Sequence, residues 1–156
     1  MARTLRVKCH VLKCAVLALL LPYTSASWAQ LGQPVQGSAR QFESLHLPKS
    51  ETRTASGYRY NLLSSDNLVV KQYVHSGTNA VFGVTWKGRR MPSLQTLLGF
   101  DPYKVSGPGV IYSLHAARIQ TDSLSVVIVA LKGHYAGRAV RTDLLPQGVP
   151  ASVVMP

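Results

Sequence analysis

The chain has 156 residues, 46% of them hydrophobic, and its 17 lysines and arginines outnumber 6 acidic residues to give a net charge of +11. This length is sufficient for one domain with a core of its own, and the charge favours anionic partners through long-range attraction. Both cysteines, Cys9 and Cys14, precede residue 30, which excludes a disulfide framework from the rest of the chain.

The first 29 residues have the three-part pattern of a secretory signal peptide. A basic start is followed by the apolar run Cys14–Leu21 and then by a small, polar segment. Ser27 and Ala29 stand at the two positions that a signal peptidase reads, so we predict cleavage between Ala29 and Gln30. The apolar run has eight residues, whereas a spanning helix needs about 20. We therefore predict an exported protein, periplasmic or secreted, without a transmembrane anchor.

The remaining chain divides into three parts. Residues 30–56 are polar and interrupted by glycine and proline, so we predict an arm or linker, with a short helix over Ala39–Leu47. Residues 57–149 are predicted to form a single domain. Residues 150–156 are predicted to be an irregular tail.

Alternating apolar and polar residues predict three strands in the first half of this domain. The first begins at Tyr58, the second spans Leu68–His75 and the third spans Ala80–Trp86. The alternation places Phe82 on the same face as Val84 and Trp86. Because the intervening turns are short, consecutive strands are expected to pair antiparallel in a meander.

The second half of the domain begins with a short helix. Pro92 suits its first position, leucines at helical spacing follow, and Gly99 suits the residue just past its end. Further strands are predicted over Val110–Ile119, Leu124–Leu131 and His134–Arg141. The second of these is almost continuously apolar, which is typical of a strand covered on both faces. We therefore predict an α+β fold: mainly antiparallel sheet, with a three-stranded meander, a short helix and two or three further strands.

The middle of the sequence contains a series of short motifs: an aromatic-Val pair, a Gly-bearing turn, Val-Phe-x-Val-x-Trp, a basic residue followed by Gly, and Pro-x-Leu-x-x-Leu-Leu-Gly. The positions that form them are Tyr73, Val74, Gly77, Val81, Phe82, Val84, Trp86, Lys87, Gly88, Pro92, Leu94, Leu97, Leu98 and Gly99. In these motifs the sequence resembles a family of short exported bacterial proteins classed only as a domain of unknown function. A second block from Gly133 to Val149 is also similar. The resemblance implies export and a single small domain, and it implies no activity and no catalytic residue.

The basic residues identify the candidate binding site. After Ala29 there are 13 basic and 6 acidic residues, a net charge of +7, and the densest cluster is Lys87, Arg89 and Arg90. A solvated turn that aids solubility is the alternative interpretation. His134 joins this candidate partner-contact set because it starts a strand at a tight turn. The expected partner is an envelope protein or an anionic envelope component. Nucleic acid is not expected, because the chain is exported and the basic residues are not interleaved with aromatic residues.

No catalytic, metal-binding or cofactor motif is present in the sequence. The histidines lack the close pair spacing of a zinc site, and a G-x-S-x-G nucleophile motif is absent. We therefore predict no catalytic residue, no metal and no cofactor. The leading hypothesis is a non-enzymatic cell-envelope interaction module. Two alternatives are a small periplasmic hydrolase or metal-dependent enzyme that uses His134 and His115, and a structural subunit that self-associates through an edge strand.

Overall fold

The structure is a computed structural model that describes residues 31–35, 47 and 49–156. The predicted signal peptide, its cleavage position at Ala29 and Gln30, and residues 39–46 of the predicted N-terminal helix lie outside this part of the chain. The strands are β1 (Lys49–Ala55), β2 (Tyr58–Ser64), β3 (Leu68–His75), β4 (Val81–Gly88), β5 (Val110–Tyr112), β6 (Ala116–Gln120), β7 (Leu124–Leu131) and β8 (His134–Arg141). They form one eight-stranded antiparallel sheet in the order β1-β2-β3-β4-β8-β7-β6-β5.

The predicted α+β fold is wrong, because the described chain is nearly all antiparallel sheet. Its one α-helix, α1 (Leu94–Leu98), has five residues, and the other helical pieces are three-residue 3₁₀ turns. Helix α1 begins after the N-cap Ser93, whose side chain accepts a hydrogen bond from Thr96 N–H, so Pro92 precedes the cap. Gly99 ends the helix with φ 84°, a left-handed conformation that glycine adopts without a steric penalty. A single turn this short covers part of a sheet but does not form a second layer.

Three strand pairings that local patterns did not reveal complete the sheet. Strand β4 pairs with β8, with Trp86 opposite Gly137, and so joins β1–β4 to β5–β8. The predicted strand Val110–Ile119 is instead two strands, because a turn from Ser113 to Ala116 folds the chain back on itself. Strand β1, within the stretch assigned to an arm or linker, pairs along its whole length with β2.

The first face of the sheet, which carries Val84 and Trp86, holds the larger core. Leucines of α1 pack on this face together with Ile119, Val126 and Ile128. A bulge in β4 removes Phe82 from it, because the register shifts where Tyr73 pairs with Gly83 and Val74 pairs with Val81. The prediction that Phe82 shares a face with Val84 and Trp86 is therefore wrong. Its ring lies in a separate cluster on the second face.

The second face is covered over β2–β4 by the C-terminal segment, which we define as residues 142–156. Val154 of this segment is fully buried against Tyr73, Phe82 and Val140. The Tyr73 hydroxyl donates a hydrogen bond to the Met155 carbonyl at 3.2 Å, and burial raises the pKa of Tyr73. Beyond Val140, the part of the second face formed by β7 and β8 has no comparable cover within the described residues.

The N-terminal piece that the structure describes packs against the start of β4. Gly32 N–H donates to the Val81 carbonyl at 2.8 Å, and Val35 N–H donates to the Asn79 carbonyl at 2.9 Å. Leu31 and Leu47 are both buried in the larger core. Among residues 31–35, 47 and 49–156 there is no helix with the length and apolar character needed to cross a membrane.

Candidate binding surface

The candidate site lies on the uncovered part of the second face, which we call the open face. It consists of Val127, Val129 and Leu131 on β7 and of Ala136 and Arg138 on β8, which pair across the sheet. Neighbouring residues Val126 and Ile128 point the opposite way into the core, as strand alternation requires. Val129 is 38% exposed and Leu131 is 48% exposed. The prediction that β7 is covered on both faces is therefore wrong.

A shallow cavity of about 300 Å³ opens at one end of the open face. Its lining includes Lys87 at the end of β4, Arg89 just beyond β4 and His134 at the start of β8. Three of the four residues predicted as partner contacts therefore surround one space. Its apolar lining comes from Leu68, Val69, Val129, Leu131 and Ala136. The cavity therefore combines an apolar floor with exposed basic side chains.

A close backbone contact holds Arg89 at this cavity. The backbone N–H of Arg89 donates to the Asn67 carbonyl at 2.8 Å, which ties the end of β4 to the β2–β3 turn. A Cβ atom at Gly88 would lie 2.1 Å from the same Asn67 oxygen. Glycine between the two basic residues is therefore what allows the chain to approach so closely.

A second cavity of about 330 Å³ continues the first along the open face. The two share Val129 and Ala136, and the second extends to Val127 and Arg138. The wall on its far side is formed by the end of the C-terminal segment, Met155 and Pro156. Together they make a groove that runs along β7 and β8 with basic residues near both ends.

Three of the five acidic residues in the described part of the chain pair with a nearby cation. Glu51 pairs with Arg53, Asp101 with Lys104 and Asp143 with Arg141. The Arg141 guanidinium donates a hydrogen bond to Asp143 and lowers the pKa of that carboxyl, and Arg53 lowers the pKa of Glu51 in the same way.

The basic residues around the groove are in a different situation. Within the described ranges, seven exposed or half-exposed lysines and arginines each have no acidic side chain within 4.0 Å of their charged nitrogen atoms. These cations are Lys71, Lys87, Arg89, Arg90, Arg118, Lys132 and Arg138. Asp66 lines the first cavity as its acidic member. The groove region therefore has an excess of positive charge that is available to an anionic partner.

The other predicted candidates do not join this cavity. Arg90 is exposed one residue beyond Arg89 and does not line it. On one side of β7, the N–H of Ala130 donates to the carbonyl of His115 at 2.7 Å. On the other side, His134 of β8 pairs with Leu131. Strand β7 thus separates the two histidines. In the part of the chain that the structure describes, no three His, Cys, Asp or Glu side chains gather as a metal site would require.

Sequence reasoning missed two exposed apolar residues and one basic residue near the cavity. Leu114 is 89% exposed in the turn between β5 and β6, a turn that the single predicted strand over this region concealed. Leu131 was assigned to a covered strand. Lys132 follows Leu131 in the tight turn to β8. The Lys132-Gly133 pair indicates this turn in the sequence, but nothing in the sequence indicates that the turn lies beside Lys87 and Arg89.

Comparison with known proteins gives one match. The model of a family described as "Protein of unknown function (DUF2844)" matches residues 27–154. No curated protein and no solved structure matches the chain.

Proposed function

We propose a binding function for this chain, which belongs to the DUF2844 family of proteins of unknown function. It acts as a non-enzymatic module of the cell envelope and binds an anionic envelope component or the acidic face of an envelope protein. The binding surface is the groove on the open face, and its main electrostatic contacts are Lys87, Arg89 and Arg90. The proposal of an envelope location rests on the signal-peptide pattern of the first 29 residues.

The observation that carries this proposal is the position of Lys87, Arg89 and His134 around one cavity. The cavity has an apolar floor and stands on a rigid sheet. Unpaired cations beside accessible apolar surface are typical of a site that recognises charge and buries apolar area together. A solvated turn that served solubility alone would not require the cations to surround a groove.

The charge-reversal double variant Arg89→Glu plus Arg90→Glu tests this function. Cells express the full chain with its own leader, and the protein is crosslinked in intact cells and then captured from the envelope fraction. We expect recovery of the crosslinked component to fall by about tenfold or more, which corresponds to roughly 1.4 kcal/mol of binding free energy. Added salt should weaken capture of the parent protein and have less effect on the variant.

A matched control reverses two exposed cations elsewhere, Arg53→Glu plus Lys104→Glu. Both lie outside the groove and already have a local acidic partner. This control changes the net charge by the same amount and should retain most of the capture. Equal recovery from the parent and the Arg89/Arg90 variant, with unchanged salt dependence, would show that the site assignment is wrong.

A further inference from the structure

One end of the sheet, which we call the turn end, carries the most exposed leucines of the described chain. The β2–β3, β5–β6 and β7–β8 turns and the end of β4 all lie there, because neighbouring strands are antiparallel. Leu114 is 89% exposed and Leu131 is 48% exposed. Leu114 lies within the turn closed by the hydrogen bond from Ser113 N–H to the Ala116 carbonyl at 2.8 Å. It is therefore presented at a tip, away from any core.

Leu114 lies in the β5–β6 turn and Leu131 is the last residue of β7, so both lie at the same end of the sheet. Ala130 N–H donates to the His115 carbonyl at 2.7 Å, which fixes the residue after Leu114 beside the residue before Leu131. Both leucines therefore face the solvent beyond the same edge of β6 and β7. Exposure of these apolar side chains to water is unfavourable. Their burial in an apolar environment, such as the interior of a lipid bilayer, would be favourable.

Cations lie beside Leu131 at the same end of the sheet. Lys132 directly follows Leu131, and Leu131 shares the first cavity with Lys87 and Arg89. Arg90 follows at the end of β4. All four cations are exposed, and none has an ion-pair partner within the described ranges.

We infer that the turn end docks on an anionic phospholipid surface, with Leu114 and Leu131 entering the interface and Lys87, Arg89, Arg90 and Lys132 contacting the headgroups. This inference rests on the proposed function and names the partner of the same site. Apolar residues inserted at the boundary and lysines or arginines held at headgroup level are the two requirements of peripheral membrane binding. A second copy of the chain fits this surface poorly, because it would oppose cations to cations.

Vesicle sedimentation tests the inference directly. Protein purified from cells that express the full chain is mixed with vesicles of phosphatidylcholine alone or of phosphatidylcholine with phosphatidylglycerol. We expect partitioning onto the anionic vesicles and little onto the neutral ones. Arg89→Glu plus Arg90→Glu should lower the partition coefficient on the order of 100-fold, since each cation near an anionic surface contributes and each reversal adds repulsion. Leu114→Ser should lower the partition coefficient by about tenfold, because serine has no apolar side chain to insert into the membrane interface.

Two matched controls distinguish binding through the turn end from nonspecific adsorption to the vesicles. Arg53→Glu plus Lys104→Glu gives the same charge change elsewhere and should stay within about threefold of the parent. Tyr103→Ser removes an apolar side chain that is 53% exposed in the 3₁₀ turn Pro102–Lys104, outside the groove and the turn end, and it should bind like the parent. Equal losses from the site and control charge reversals, or an unaffected Leu114→Ser variant, would overturn the inference.

The vesicle result also separates this inference from the proposed function. If the anionic vesicles do not bind the parent protein while envelope capture still depends on Arg89 and Arg90, the lipid inference is wrong and an envelope protein or glycan is the partner. If neither vesicle binding nor envelope capture depends on Arg89 and Arg90, the inference and the proposed function are both wrong.

Discussion

At the scale of single residues, the contact between Trp86 and Gly137 determines how closely β4 and β8 pack. The two residues are directly paired, and a Cβ atom at position 137 would lie 2.2 Å from Cζ2 of the indole. The indole is 1% exposed and is enclosed by the larger core, so it has no room to move aside. Its Nε1–H has no hydrogen-bond partner within the described residues.

We expect Gly137→Ala to lower the free energy of unfolding by about 3 kcal/mol, because the added methyl group overpacks a filled core. Urea denaturation measures the change. In a Trp86→Leu background the contact with the indole is removed, while the Val127 carbonyl oxygen still lies 2.7 Å from the added Cβ. The same substitution should therefore cost less in this background but still destabilise the protein. An equal cost in both backgrounds would show that the indole is not what excludes a side chain at position 137.

At the scale of elements, the C-terminal segment is the cover for the aromatic cluster on β2–β4. Val154 is fully buried and its side chain occupies the space above Gly83. Tyr58, Tyr73 and Phe82 form a set of tilted and edge-on ring contacts with centroids 6.0 to 6.1 Å apart. The predicted tail of residues 150–156 contains this buried valine and a 3₁₀ turn, Ala151–Val153.

We expect Val154→Ala to destabilise the protein by about 1–3 kcal/mol, because it removes buried methyl groups and leaves a cavity over Gly83. Thermal or urea unfolding measures the loss, and increased binding of a hydrophobic dye would report exposure of the aromatic cluster. Ser152→Ala changes an exposed residue of the same segment and should have no measurable effect. Wild-type stability of Val154→Ala would mean that the segment does not pack on the sheet.

At the scale of the whole molecule, the β4–β8 pairing makes one cooperative sheet from two groups of four strands. Six residue pairs join them, from Gly83 with Val140 to Gly88 with Tyr135. The larger core crosses this junction, since it contains Val70 and Val84 from one side and Val126 and Ile128 from the other. Neither group forms the larger core without the other.

We therefore expect a single unfolding transition. The fluorescence of Trp86 reports the junction and far-ultraviolet circular dichroism reports all strands, so their denaturation midpoints should coincide. The single variant Val154→Ala should shift both midpoints together. Two separated transitions in the parent protein would show that the halves fold independently and that the junction is weak.

Local patterns alone were enough to locate most of the strands. Strands β3, β7 and β8 have the predicted bounds, and helix α1 lies where leucine spacing and Gly99 indicated. The resemblance to a family of unknown function is also confirmed. These features depend on periodicity and turn residues that are close together in the chain, so they can be read without knowledge of distant neighbours.

The sequence by itself thus determined where most of the strands lie, that the chain resembles a family of unknown function and which basic residues stand close together along the chain. Only the tertiary structure decided that β4 pairs with β8, that a bulge turns Phe82 to the second face, and that the C-terminal segment covers half of that face and leaves the rest open. The groove beside Lys87, Arg89 and His134 follows from this partial cover. Pairing and cover arise from contacts between residues far apart in the chain, and a continuous apolar run such as β7 does not reveal which of its faces remains exposed.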